Sequence, residues 1–239
     1  MKDGDINFKI APHPWMICSL PLLLISWAYG LFIVPTDIHQ GEVYRILFLH
    51  VSCAINAFAI SAVLFVCSVQ CLWKNNTHFS YWGLPIAETG LFWTIFTLIT
   101  GSIWGKPTWG VWWTWDARLT TTFILALMYA GFMVLWHAAD NSSTRNKSCA
   151  ILGILIFADV PIIYKSVSWW RTLHQPPSIL RTGGATMSTP MLMTLLAVLC
   201  CTLLVSAALI RYRAQNRQLE SQLEQQMFEL ESSQKGEPL

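Results

Sequence analysis

His50, in Leu47-Phe-Leu-His50-Val51, and His174, in Trp169-Trp-Arg-Thr-Leu-His174, are two of six histidines in the chain. Each imidazole can give a nitrogen lone pair to a metal, and two of them can fill the opposite axial positions of a haem iron, with ligand nitrogens roughly 4 Å apart across it. Between them in sequence runs Trp104-Gly-Lys-Pro-Thr-Trp109-Gly-Val-Trp112-Trp113-Thr-Trp115-Asp116-Ala-Arg118, which holds five of the 13 tryptophans. Indoles at such density suit an interfacial aromatic belt, and they also suit a flat apolar shelf for a planar macrocycle. Two turns of helix over 109–116 put Trp109, Trp112 or Trp113, and Asp116 on one side. For either histidine taken alone, an ordinary hydrogen bond stands beside ligation as a reading.

A macrocycle with carboxylate arms needs cations. Arg118 follows the tryptophan segment directly and is the preferred partner, with Lys106, Arg171 and Arg181 as further candidates. Asp116 either orients an indole N–H or pairs with Arg118. His13, His39, His78 and His137 have no matching context and stay unassigned.

The elements that must carry these residues follow from composition. Hydrophobic residues make up 54% of the 239 and charged residues only 12%, far from the balance of a soluble domain. The apolar residues fall into blocks near 15–34, 46–73, 84–103, 119–136, 149–164 and 190–210, most of them long enough to cross a hydrocarbon core of about 30 Å as helices. The expected fold is an all-α integral membrane protein of six transmembrane helices. A cytoplasmic N-terminus spans 1–14, the membrane domain 15–210, and a cytoplasmic tail 211–239. The block at 149–164 is the shortest and carries Asp159 and Pro161, tolerable where a helix faces other helices.

Six spans put the loops at 35–45, 104–118 and 165–189 on one side and both termini on the other. Nine Lys and Arg fall on the terminal side and six on the loop side, so the positive-inside rule makes the termini cytoplasmic. His50, the tryptophan segment and His174 then share the outer face.

Several functions are excluded. A net charge of +2 without a basic stripe offers nothing to nucleic acid. Gly101-Ser-Ile-Trp-Gly-Lys-Pro lacks the spacing of a phosphate loop, so ATP is not bound there. The seven cysteines include no C-x-x-C, which argues against a zinc site, a disulfide framework or covalent haem, and leaves buried free thiols. Beyond Ile210, Leu219, Leu223, Met227 and Leu230 form a stripe on a helix extending the last span and able to dock a partner, while Ser232–Leu239 reads as disordered.

Over about residues 15–210 the sequence resembles the CcmC family of cytochrome c maturation proteins, within the tryptophan-rich WWD group. The resemblance rests on Gly101-Ser-Ile-Trp-Gly-Lys-Pro, on Trp109-Gly-Val-Trp-Trp-Thr-Trp-Asp-Ala-Arg-Leu-Thr120, and on Pro161-Ile-Ile-Tyr-Lys-Ser-Val-Ser-Trp-Trp-Arg-Thr-Leu-His-Gln175. It implies non-covalent haem b held on the periplasmic side of a bacterial inner membrane, with His50 and His174 as axial ligands. The platform would comprise Trp104, Gly105, Trp109, Gly110, Trp112, Trp113, Trp115, Asp116 and Arg118. It further implies delivery to the haem chaperone CcmE, bridged by CcmD, in a complex with the ABC-transporter subunits CcmA and CcmB. Membrane lipid is the remaining partner, and no enzymatic step is expected of this chain. Ser52 stands where the family usually has Pro after His-Val. Two other classes stay open: a b-type haem electron carrier, and a haem permease, for which Glu88 and Asp159 are the few polar groups within spans.

Overall fold

The computed structural model describes residues 14–37, 40–74, 78–174 and 187–235. Six helices account for most of them: α1 (Pro14–Phe32), α2 (Leu47–Lys74), α3 (Phe79–Trp109), α4 (Ala117–Ala138), α5 (Ser142–Trp169) and α6 (Thr189–Lys235), with a short 3-10 helix at Glu42–Ile46 leading into α2. There is no β-strand among the described residues. All six helices are long and apolar enough to cross a membrane, and in lipid a helix is the element that satisfies its own backbone polar groups.

α2 lies at the centre. It packs against α3, α5 and α6, while α4 closes against α3 and α5 and α1 leans on α6. Interior side chains such as Trp93, Phe132, Leu64 and Ile156 fill the space between them. Because lipid supplies no hydrophobic drive between helices, short polar pins add to this packing. Asn56 Nδ2 donates to Ser206 Oγ at 2.8 Å, joining α2 to α6, and the Ser61 and Tyr129 hydroxyls meet at 2.8 Å, joining α2 to α4.

The structure lengthens several expected elements. α5 has 28 residues and runs through both Asp159, which is buried, and Pro161. The loop expected from residue 165 therefore begins only after Trp169. At 47 residues, α6 is roughly 70 Å long, more than twice the hydrocarbon thickness, so its second half leaves the bundle as the sequence pattern predicts. Helix continues to Lys235, so the expectation of disorder fails over 232–235; residues 236–239 lie outside the described residues. The reason is continuity: each added residue closes one more hydrogen bond on a helix already nucleated. The seven cysteines are all free, although Cys18 and Cys200 are exposed rather than buried.

The expected helix over 109–116 is not formed. α3 stops at Trp109 because Gly110 takes a left-handed conformation at φ 80° and its N–H closes on Lys106 O at 3.0 Å, a glycine helix stop. The chain then runs without regular structure until Asp116, whose Oδ1 accepts the Leu119 N–H at 2.8 Å and starts α4.

Candidate functional site

The end of the bundle where α3 hands over to α4 holds a cavity of about 560 Å³. His50 reaches it from α2, Trp104 and Trp109 from α3, Arg118 from α4, Tyr164 from α5, and His174 from the segment after α5. Deeper, the wall is apolar, with Ala54, Phe58, Leu98 and Leu195 among its residues. A concave apolar site with a few polar groups converging on it is the usual form of a ligand site.

The two imidazoles are held in the same manner. His50 Nδ1 lies 3.1 Å from Thr97 O. A carbonyl oxygen only accepts, so the proton is on Nδ1 and the lone pair is on Nε2. Thr100 Oγ1, 3.2 Å from the same nitrogen, accepts as well, since its own proton goes to Phe96 O at 2.8 Å. His174 Nδ1 lies 3.1 Å from Asp116 Oδ2, which also accepts the Thr172 hydroxyl at 2.7 Å. Thr172 in turn accepts the His174 backbone N–H at 3.1 Å. Partners on the far nitrogen fix the tautomer and orientation of a metal-binding imidazole, and here both histidines have them.

Asp116 is the hinge of this arrangement. Its side chain is only 8% exposed and that of His174 15%. Burial pushes its carboxyl upward, but hydrogen bonds from His174, the Leu119 N–H and Thr172 outweigh that and hold it well below the usual carboxylate range. It is therefore an anion at neutral pH, with one oxygen capping α4 and the other on His174 and Thr172. The expected pairing of Asp116 with an indole or with Arg118 gives way to this role.

Each histidine also meets the edge of a tryptophan. Trp104 stands 5.7 Å from His50 with planes at 71°, and Trp109 stands 4.8 Å from His174 at 62°. Trp104 is itself fixed by donating Nε1–H to Gln40 Oε1 at 3.2 Å and by the Tyr44 ring at 6.4 Å. Gly105 is buried in the cavity wall against Trp109.

The other expected platform residues, Trp112, Trp113, Trp115, Gly110 and Asp116, do not border the cavity directly. Trp112 and Trp115 are 59% and 72% exposed, and Trp113 packs on Trp115 and Phe123. Among the cations, Arg118 lines the cavity, donates to Tyr164 O at 3.2 Å and keeps a buried Nε without a partner among the described residues. Lys106 donates instead to Gly110 O at 2.9 Å, Arg171 is exposed, and Arg181 lies outside the described residues, as do His13 and His39.

Thr97 and Thr100 join the site without having been expected there, and Gly101, part of a quoted motif, takes an unexpected place beside His50. A Cβ built on Gly101 would stand 2.9 Å from His50 Cε1, so the absence of a side chain there admits the imidazole. The signal was present: Thr97, Gly101, Trp104 and Thr108 recur at spacings of four, three and four and share one face of α3. Gln40, Tyr44, Thr172 and Tyr164 had no such signal.

Fold and site together define a multi-pass helical membrane protein with a two-histidine pocket at one end of its bundle. Residues 6–229 match the family model for heme exporter protein C, and the chain belongs to that family. It is 37% identical over 185 residues to the heme exporter protein C of Bradyrhizobium diazoefficiens, covering 77% of this chain and 70% of the relative. It is 40% identical over 164 residues to that of Escherichia coli K12, covering 68% and 66% respectively. The Haemophilus influenzae protein of the same name is 36% identical over 211 residues, covering 86% and 84%.

Proposed function

We propose that this chain binds haem b non-covalently between His50 and His174 on the periplasmic face of a bacterial inner membrane and passes it to the chaperone CcmE. The observation that carries this reading is the hydrogen bonding of the two rings. Both imidazoles border one cavity, and both spend Nδ1–H on the protein, at Thr97 O and Asp116 Oδ2. Each therefore leaves Nε2, and not Nδ1, as the nitrogen that can take iron. Those two nitrogens are the atoms that would hold the iron.

Trp104 and Trp109 pack against the macrocycle inside the cavity, with Gly105 giving Trp109 its room. Gly110 turns the chain outward so that Trp112 and Trp115 meet the edge that projects, while Trp113 braces them. Arg118, with its unpartnered Nε, takes a propionate. A site that opens at the end of the bundle leaves one haem edge within reach of an acceptor, which transfer requires. Both termini are cytoplasmic in this reading. CcmD bridges to the chaperone, and CcmA with CcmB supplies ATP hydrolysis that this chain does not perform.

The test is the absorbance spectrum of the purified full-length protein beside His50→Ala, His174→Ala and the double variant, followed by CcmE loading. Each single change is expected to abolish the bis-imidazole spectrum and most haem retention. Full haem content in the double variant would overturn the assignment. Reduction of the bound haem by a quinol at a physiological rate would favour electron transfer over carriage.

A further inference from the structure

The opposite end of the bundle, where α3 begins, α4 ends and α6 leaves the membrane domain, holds a second cavity of about 360 Å³. Arg145 from α5 and Arg217 from α6 line it, together with Ser80, Tyr81, Ser142 and Ser221. Both guanidiniums lie over the ring of Trp136, at 5.0 and 5.3 Å from its centroid. The Nε of each is buried and has no hydrogen-bond partner among the described residues. Among the described residues no carboxylate forms an ion pair with either guanidinium; Glu88 is taken bidentately by Arg213 at 2.8 and 3.0 Å, and Glu220 acts on Arg217 only from a longer range.

Two guanidiniums gathered on one indole repel each other, and stacking on an aromatic face is worth only about 0.5–2 kcal/mol. Such a pair is the arrangement in which a shared anion removes a cost. From the side, the first turn of α5 reaches the cavity at Ser142 and contains no acidic residue; Asn141 Oδ1 already takes the Ser143 and Thr144 N–H groups, so the 28-residue helix contributes its dipole and not those donors. Ser80 Oγ accepts from Asn146 Nδ2 at 2.6 Å, which leaves its own hydroxyl proton to give. Glu220 and Glu224 also border the cavity and are exposed. Their charge opposes any anion and is screened by solvent, so the selection rests on the donors: an oxyanion can engage both guanidinium forks and hydroxyls from three helices, which a monatomic anion cannot.

We infer that this cavity binds a phosphate oxyanion, presented either by an anionic lipid headgroup or as free phosphate, with Arg145 and Arg217 as its paired donors. The site is separate from the histidine cavity and draws on none of its residues. A headgroup there ties α3, α5 and α6 together at the membrane surface.

The test uses the full chain in detergent, with thermal stability and native mass spectrometry read against three probes: inorganic phosphate, phosphatidylglycerol and a glutamate-rich peptide. Phosphate, phosphatidylglycerol or both are expected to raise the melting midpoint, and Arg145→Gln with Arg217→Gln should weaken that binding about tenfold or more. Lys74→Gln with Lys147→Gln removes the same charge elsewhere and should leave it intact. A response to the lipid alone names the headgroup as the source, and a response to inorganic phosphate alone names the free ion. If the glutamine pair does not give a monodisperse protein, Arg145→Lys with Arg217→Lys keeps the charge, loses the fork and should still weaken binding. Equal binding in the arginine and lysine double variants, or stabilisation by the peptide alone, would overturn the proposal.

Discussion

At the scale of single residues, the chemistry turns on which nitrogen of each histidine is free. Asp116 decides this for His174, and its two oxygens serve different tasks: one caps α4, the other holds His174 and Thr172. Asparagine offers one oxygen for those tasks and turns an amide N–H₂ toward the other. Asp116→Asn is therefore expected to lower haem affinity about 10–100-fold, the usual scale for losing a group that orients a ligand, measured by haem titration. On the His50 side, Gly101→Ala would bring a methyl to 2.9 Å from the ring. The imidazole is tied to Thr97 and has little room to move, so the change is expected to cost about 1–3 kcal/mol by overpacking and to reduce haem content, read from the melting midpoint and the absorbance spectrum. Arg118→Ala should leave the iron spectrum in place and weaken retention, since it removes the proposed propionate partner and neither histidine.

At the scale of elements, α3 organises the pocket. Its last turns present Trp104 and Trp109, its Thr97 carbonyl fixes His50, and its end at Gly110 sends the following tryptophans elsewhere. That stop depends on φ 80°, a conformation costing a residue with a Cβ roughly 1–2 kcal/mol. Gly110→Ala is expected to lower thermal stability by that amount and to change the fluorescence of the exposed Trp112 and Trp115, while the bis-imidazole spectrum persists. The expected helix over 109–116 failed at this glycine. The spacing of Trp109, Trp112 and Asp116 suits a helix, but the turn chemistry of Gly110 and the capping chemistry of Asp116 set the boundaries.

At the scale of the whole molecule, the two cavities occupy opposite ends of one bundle, and α6 runs past both before projecting beyond it. Ending the chain after Glu224 is expected to leave haem binding unchanged, which absorbance of the truncated protein checks; loss of haem would show that the projecting helix supports the far end. The six spans, the gathering of His50, the tryptophans and His174 at one end, and the extension of the last helix were all legible in the sequence, because apolar length and even-numbered crossing fix them without reference to packing. What only the tertiary structure decided was partnership. Asp116 meets His174 across 58 positions and His50 meets Thr97 across 47, and which tryptophans face the cavity follows from where α3 stops and how it rotates against α2. Periodicity records which residues share a face of one helix; the choice of neighbour belongs to side chains from different helices competing for the same space.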